Sequence, residues 1–318
     1  MRRSSKPIFV GPWTSEVGFE TLYWLPWLAH VQHTLGIDPS RLIPITRGGA
    51  SQWYGVPKGL ELFLMRTPQE LRVETKLRAR ATGMQKQGPV RPFDTAIYAD
   101  AANTLGIDRY LTLHPGWMYE TLAPFWEAER GLAWLQRQMR FAPMVPGPVP
   151  EGVTLPSPFV AVRFYARPTF PATPQTIEFV KAVLQKLAKD QAVIILDSGV
   201  HADEHVDIIQ KELPKGVVTL SSLYPHLSPA NNLAVQSAVL AQSVGFVGTY
   251  GGIAQMALRL RKPSVSYYVD WHGTCLAHQH LSEALALQSG VSFIVTRLHD
   301  LLLQQSVSPT LQLVGHPS

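Results

Sequence analysis

The chain has 318 residues, of which 46% are hydrophobic and 16% charged, and it carries a formal net charge of +5 and one cysteine. This length predicts two domains of roughly 150 residues each, and the composition excludes a disordered chain. A single cysteine excludes an internal disulfide, and no cysteine and histidine cluster has zinc spacing. The moderate charge favours an anionic ligand such as a sugar diphosphate, or weak contact with an acidic membrane surface, over nucleic acid.

The N-terminal half alternates short strands with helices. Strands are predicted over 7–10, 41–45 and 110–113. Helices are predicted over 18–33, after a capping box at Thr67, which opens a basic helix, and over 119–139. The apolar run at 7–10 is too short for a signal peptide or a membrane span, so we expect a soluble, cytoplasmic protein. This half reads as a smaller α/β domain, residues 1–150.

A proline-rich crossing between Pro143 and Pro158 separates this half from a more regular one, residues 151–318. Strands are predicted beyond it over 159–163, 192–196, 217–220, 243–248, 264–269 and 291–295. Helices are predicted from Pro174 after a Thr173 cap, from about Asp203, over 230–242 after a Ser228 cap, and over 278–287. This alternation predicts an α/β protein with a doubly wound parallel sheet.

The most informative motif follows the buried strand that ends near Gly248. Thr249-Tyr250-Gly251-Gly252 forms a turn, and a short apolar helix follows it and stops at Pro263. Backbone N–H groups at such a helix N-terminus bind phosphate, and ligands of parallel sheets lie at the carboxyl ends of the strands. The alternative interpretation is a tight turn that needs glycine only for its backbone conformation.

Three features together resemble the GT-B glycosyltransferases. They are the two Rossmann-like halves, the proline-rich crossing, and the segment Gly248-Thr-Tyr-Gly-Gly-Ile-Ala-Gln-Met-Ala with Lys262-Pro263 beyond it. The resemblance covers residues 159–296 and extends to the N-terminal half only in outline. It implies two Rossmann-like domains facing a cleft, and a glycine turn that faces the diphosphate of a nucleotide-sugar donor.

Further donor-binding candidates lie in loops after the C-terminal strands. Arg163 and Arg167 could bind phosphate through their planar guanidinium groups, or could merely face solvent. The loop after the third strand could hold the base, or could be an ordinary polar loop before a helix; its candidates are Ser221, Ser222 and Tyr224. Asp270 and His272 could bind sugar hydroxyls, or could cap a helix beside a packed tryptophan.

The N-terminal half supplies candidates for acceptor chemistry. Glu16 and Glu20 lie four residues apart, and one of them could deprotonate an acceptor hydroxyl; the alternative, favoured for Glu20, is an acidic first turn that complements the helix dipole. His114 is a further candidate base. Three residues of this half are expected in the cleft loops, although the tryptophan could equally belong to the core: Gly11, Trp13 and Arg47.

The resemblance to GT-B glycosyltransferases implies sugar transfer from a nucleotide-diphosphate donor to a glycan or other hydroxyl acceptor, with these residues as its candidates. No Asp-x-Asp pair occurs, so no metal is indicated, and no cofactor is expected besides the donor substrate. Two alternatives stay open: a nucleotide-sugar epimerase of similar fold, and a non-catalytic nucleotide- or carbohydrate-binding protein.

Overall fold

The computed structural model describes residues 4–56, 59–82, 87–197, 206–209, 212–271 and 275–299. Within them the chain forms two separate parallel β-sheets flanked by helices, so the predicted α/β class with two Rossmann-like halves is confirmed. The stretch from 138 to 158, between the last helix before the crossing and the first strand after it, has no regular structure. The boundary between 150 and 151 stays a prediction.

The N-terminal sheet consists of β1 (Ile8–Val10), β2 (Leu42–Thr46), β3 (Leu60–Glu61) and β4 (Leu111–Leu113). Its strand order is β3-β2-β1-β4, and all neighbours run parallel. Every residue of β1 is buried, as expected for a central strand covered by helices on both faces.

The C-terminal sheet is larger. Its strands are β5 (Phe159–Arg163), β7 (Ala192–Ile195), β9 (Val217–Thr219), β10 (Phe246–Thr249), β11 (Ser264–Tyr268) and β12 (Phe293–Arg297). Two short strands, β6 (Tyr165–Ala166) and β8 (Val206–Asp207), pair antiparallel beside it. The strand order β12-β11-β10-β5-β7-β9 is that of a doubly wound dinucleotide-binding sheet, with its topological switch point between β5 and β10.

The helices have the following bounds. A continuous helical segment begins with α1 (Val17–Phe19), continues as a π-helix (Glu20–Trp24) and ends as α2 (Leu25–Leu35). The other helices of the N-terminal half are α3 (Pro68–Thr82), α4 (Pro92–Leu105), α5 (Pro115–Trp126) and α6 (Leu132–Arg137). Those of the C-terminal half are α7 (Pro174–Asp190), α8 (Leu220–Leu223), α9 (Asn232–Gln242), α10 (Gly252–Arg259) and α11 (Cys275–Ser289). Short 3₁₀ turns span Pro39–Arg41, Ala50–Tyr54 and Leu62–Leu64. None of the described helices is long and apolar enough to cross a membrane.

Three predicted helices were wrong in whole or in part. The single helix predicted over 119–139 is two helices, α5 and α6. The first starts early, at Pro115 with His114 as its cap, and Ala128, which has a φ of 60°, lies between the two helices and interrupts the helical path. α9 begins at Asn232 rather than 230, since the Asn231 side chain accepts a hydrogen bond from Ser228 N. Residues 206–207 form a strand rather than part of a helix from Asp203, whose own position lies outside the described residues.

Contacts between α1 and α10, and between the loop after β2 and α9, help to bring the halves together. The first turns of α1 and α10 pack against each other, so that the N-terminus of each helix lies near the other half. The loop after β2 reaches the start of α9, where Gly48 O accepts a hydrogen bond of 2.8 Å from Ala234 N. The carboxyl ends of both sheets therefore face one another across a cleft.

Candidate functional site

The cleft between the two halves encloses about 910 Å³ of empty space, its open mouth included. It is lined from both sides by charged, aromatic and glycine residues. The N-terminal half contributes Glu16, Val17, Gly18, Phe19, Leu22, Tyr23, Arg47 and Phe63; the C-terminal half contributes Arg163, Tyr165, Arg167, Asn232, Leu233, Tyr250, Gly251, Gly252, Ile253, Gln255 and His278. Seven predicted site residues thus meet in one cavity, although they are spread over more than 230 positions of the chain.

The cleft lies at the topological switch point, where ligands of such sheets are expected. β5 ends at Arg163 and its neighbour β10 ends at Thr249, after which the turn leads into α10. Thr249 is buried, and its hydroxyl accepts a 3.1 Å hydrogen bond from Tyr165 N, so this predicted donor residue holds the neighbouring loop rather than lining the cavity.

Gly251 is glycine for reasons of space. Its φ of 161° is extended backbone that any residue adopts. A Cβ atom at this position would collide with the hydroxyl of Tyr165 and approach Arg167 Nη1 to 2.8 Å. The turn is therefore packed directly under an arginine and a tyrosine that also line the cleft.

Both predicted arginines of the C-terminal half line the cleft in defined positions. The Arg163 Nε donates to Asp207 Oδ1 at 2.9 Å and its Nη1 donates to Gln236 Oε1 at 2.9 Å, while its guanidinium lies 5.4 Å from the ring centre of Tyr165. Arg167 Nη1 lies 3.5 Å from Tyr250 O, beside the glycine turn. Arg167 thus places a positive charge beside the N-terminus of α10, whose dipole is also positive there, while Arg163 lines the same cleft as the partner of Asp207.

Glu16 faces these arginines from the other half. It is the N-cap residue of α1, with extended backbone, and it lines the cleft with its side chain partly exposed. Its negative charge raises the pKa of His278, against the larger lowering that burial causes. Nearby, Arg47 also lines the cleft and donates to the backbone oxygen of Ser15. Among the described lining residues, one carboxylate therefore shares the cleft with Arg47 of its own half and with Arg163 and Arg167 of the other.

Two carboxyl groups interact electrostatically with Arg47: Glu20 is fully buried and Glu61 is half-buried. Burial raises the pKa of Glu20 to about 7, although the charge of Arg47 lowers it. Burial likewise raises the pKa of Glu61 to about 7, against three hydrogen bonds from backbone N–H groups: those of Gly48 (3.0 Å), Gly49 (2.7 Å) and Phe63 (3.0 Å). Glu61 thereby shapes the Arg47 loop. Sequence reasoning missed it, because nothing local marks a strand-end glutamate as the partner of a loop 12 residues earlier.

His278 is a second cleft residue that sequence reasoning missed. Its Nδ1 lies 2.6 Å from the hydroxyl of Tyr23, a contact between α11 and the π-helix of the other half. Burial lowers the pKa of His278 to about 4, so the ring is neutral at pH 7. Burial also raises the pKa of Tyr23. The pair forms an uncharged hydrogen bond across the floor of the cleft.

Two candidate bases are placed away from the cleft. His114 is buried; its Nδ1 accepts from Gly116 N at 3.0 Å, and its Nε2 lies 3.3 Å from the carboxylate of Asp94. It caps α5 and belongs to a buried charge network instead of facing a substrate. Glu20 is also fully buried, and its Oε1 accepts a 2.7 Å hydrogen bond from the hydroxyl of Tyr54.

Two further residues of the N-terminal loop are structural. Trp13 is fully buried and stacks on Trp24 with ring centres 5.9 Å apart, so it belongs to the core and does not line the cleft. Gly11 has a φ of 118°, which favours glycine, and a Cβ would lie 2.6 Å from Ile45 O. Its contribution is to the chain path between β1 and the cleft.

The remaining donor candidates that the structure describes do not line the cleft. Ser221, Ser222 and Tyr224 lie in or next to α8, after the outermost strand β9; Ser221 N donates to Asp197 Oδ1, and Ser222 N donates to the Thr219 cap. Asp270 is exposed, 3.6 Å from Arg297. His272 lies outside the described residues. Among the described residues, no group of three or more His, Cys, Asp or Glu side chains could hold a metal ion.

No family model and no curated protein matches this chain. It is similar to solved structures, among them E. coli heptosyltransferase WaaC with ADP (14% identity, 95% of this chain and 98% of that chain, TM-score 0.46). Others are E. coli ADP-heptose lps heptosyltransferase II (16%, 90% and 100%, TM-score 0.43) and the glycosyltransferase SnogD from Streptomyces nogalater (13%, 93% and 87%, TM-score 0.37). All three are glycosyltransferases, the class of enzyme to which the sequence around the glycine turn shows a resemblance. Because these TM-scores are below 0.5, the likeness gives no evidence about activity. That evidence has to come from the residues of the cleft.

Proposed function

We propose that this protein is a glycosyltransferase of the GT-B kind, which moves a sugar from a nucleotide-diphosphate donor to a hydroxyl acceptor without a metal ion. One observation carries the proposal. The N-terminus of α10 lies at the switch point of a dinucleotide-type sheet, with Arg167 beside it, and the same cleft is lined by Arg163 and, from the other half, by Glu16.

The C-terminal half has the chemistry that a leaving diphosphate needs. Negative charge accumulates on the diphosphate as its bond to the sugar breaks, and fixed positive groups stabilise that charge most when they need not reorganise. Arg163 is held by Asp207 and Gln236, and the backbone N–H groups of α10 are fixed by the helix. These groups take the role that a divalent cation has in other transferases.

The N-terminal half has a base for the acceptor. In the proposed step the acceptor oxygen forms a bond to the anomeric carbon, the bond from that carbon to the diphosphate oxygen breaks, and the hydroxyl proton passes to the carboxylate of Glu16. Glu16 is the carboxylate that lines the described part of the cleft. Glu20 is excluded from this role because its carboxyl group is buried against Tyr54.

The first test is binding. Thermal shift with a panel of UDP-, GDP-, CMP-, dTDP- and ADP-sugars is expected to identify one donor, since a ligand at ~100 times its Kd stabilises the folded state by about 2.7 kcal/mol. Failure of every sugar nucleotide to bind would contradict the proposal.

The second test is turnover with the identified donor. Glu16→Gln is expected to lower kcat by roughly 10²–10⁴-fold with little change in donor Kd, because the amide keeps the shape and loses the basicity. Glu178→Gln, at an exposed glutamate on α7, is the control and should leave kcat unchanged.

Activity that survives EDTA supports a metal-free step, and activity lost to EDTA contradicts it. Conversion of the donor sugar without an acceptor indicates the epimerase, and binding without turnover indicates the binding protein.

A further inference from the structure

Helix α3 exposes a stripe of cationic and aliphatic side chains. Val73 is 54% exposed and Leu77 is 43% exposed. They alternate with three exposed cations along the same helix face, at spacings of three and four residues: Arg72, Lys76 and Arg80. The described residues supply no ion-pair partner within 4.0 Å for any of these cations. The same face also carries the exposed Glu70 at its start, so three cations and one carboxylate give it a net charge of +2 beside the two aliphatic side chains.

The opposite face of α3 fixes its orientation. Glu74 and Arg78 are buried and paired, with 2.9 Å between Arg78 Nε and Glu74 Oε1, and Arg78 Nη2 also lies 2.7 Å from Asp94 Oδ1. Leu71 packs with the apolar residues between β1 and α4. Because these contacts hold the helix from behind, the exposed stripe cannot turn inward without breaking a buried ion-pair network.

The segment just before α3 reaches the cleft. α3 follows β3 closely, and Gln87, five residues after the helix ends, bonds to Pro12 O and Thr14 N beyond the carboxyl end of β1. The described residue that follows α3 therefore contacts the loop at the carboxyl end of β1. Just before α3, Phe63 lines the cleft while the next residue, Leu64, is 80% exposed.

We propose that this surface docks on an anionic lipid bilayer. The docking face consists of Leu64, Arg72, Val73, Lys76, Leu77 and Arg80. Its cations complement lipid phosphates, and its aliphatic side chains can enter the boundary between headgroups and acyl chains, as on an interfacial amphipathic helix. A nucleic-acid surface would give Val73, Leu77 and Leu64 no apolar partner. Docking requires no donor, so this proposal stands apart from the proposed function.

The test is sedimentation of the full chain with vesicles of phosphatidylcholine, with and without about one third phosphatidylglycerol. The protein is expected to bind only the anionic vesicles, and to dissociate between about 0.1 and about 1 M salt, as the Debye length falls from about 10 to about 3 Å. Each cation near an anionic surface contributes about fivefold to partitioning, so the combined change Arg72→Glu, Lys76→Glu and Arg80→Glu should weaken binding by roughly 100-fold or more. Leu64→Ser with Leu77→Ser should weaken it without any change of charge.

The control is Lys181→Glu with Lys186→Glu and Lys189→Glu on α7, which makes the same charge change on an exposed helix of the other half. It should bind like the wild type apart from a small general loss of charge. No binding of the wild type to anionic vesicles overturns the proposal, as does equal loss in the α7 control. Binding that the serine variants leave unchanged overturns the apolar part, and RNA competing fully with vesicles assigns the face to nucleic acid instead. Circular dichroism shows whether each variant is folded, and the serine pair retests the face if the glutamate triple is not.

Discussion

Gly251→Ala is the sharpest test of how the cleft is built. The added methyl group would occupy the position that the Tyr165 hydroxyl holds, beside Arg167 Nη1. The backbone at Gly251 is extended, so alanine meets no conformational strain there. Gly131 is the matched control: it too is the N-cap of a helix without a side-chain cap, its φ is −84°, and a Cβ there would meet no atom within 4 Å.

The magnitude follows from overpacking. Forcing one methyl group into a filled site costs about 1–3 kcal/mol, and for a domain of 150–250 residues each kcal/mol lowers Tm by about 2–4 °C. Gly131→Ala adds a methyl group in open space, so its change in Tm should reflect only the replacement at an N-cap. Since Gly251→Ala displaces Tyr165 and Arg167, both of which line the cleft, donor Kd should rise about tenfold or more, as one charge-assisted contact contributes roughly 1.5–3 kcal/mol.

The assay is thermal unfolding of both variants with and without the sugar nucleotide that stabilises the wild type most. Gly251→Ala should lose stability and ligand shift together, and Gly131→Ala should keep its ligand shift. Gly251→Val should lose donor binding completely. Equal Tm values and equal donor affinities for the two alanine variants would refute the reasoning, because they would show that the turn has room for a side chain.

Three further expectations follow from the buried groups. Because the pKa of Glu20 is raised from 4.5 to about 7 in the folded state, its contribution to stability is present below pH 4.5 and is lost as pH rises to about 7; urea unfolding across this range should show a smaller fall for Glu20→Gln than for the wild type. His114→Asn should keep the N-cap and leave kcat unchanged but lower the free energy of unfolding by about 1–3 kcal/mol, and a large loss of kcat in a stable variant would return His114 to the mechanism. Tyr23→Phe should cost a similar about 1–3 kcal/mol, since it leaves the buried Nδ1 of His278 without its 2.6 Å partner; an unchanged denaturant midpoint would contradict that contact.

Local patterns were sufficient for much of the fold. The Thr173 cap with Pro174 and the Thr67 capping box mark helix starts that the structure confirms, because both signals depend on residues within one turn of each other. The glycine turn after β10 is likewise where the sequence predicts it, and it lines the cleft. Two helix starts were predicted wrongly because another nearby residue starts the helix. α5 begins early, at Pro115, and Asn231 rather than Ser228 is the N-cap of α9.

The roles of individual acids and histidines were decided only by tertiary structure. The sequence favours Glu16 over Glu20 only because Glu20 fits a helix-dipole role, and it offers His114 as a base while nothing in it marks His278. Folding leaves Glu16 at the cleft and buries Glu20 against Tyr54, and it caps α5 with His114 while it places His278 opposite Tyr23. These outcomes depend on burial and on distant partners: Tyr54 lies 34 residues from Glu20 in sequence, and Tyr23 lies 255 residues from His278. The pKa of each group depends on these surroundings in space. The sequence by itself determines most of the strands, turns and helices, because those choices depend mainly on near neighbours, although α4 and β3 were not among the predicted elements. Which charge lines the cleft depends on contacts that exist only once the two sheets face each other.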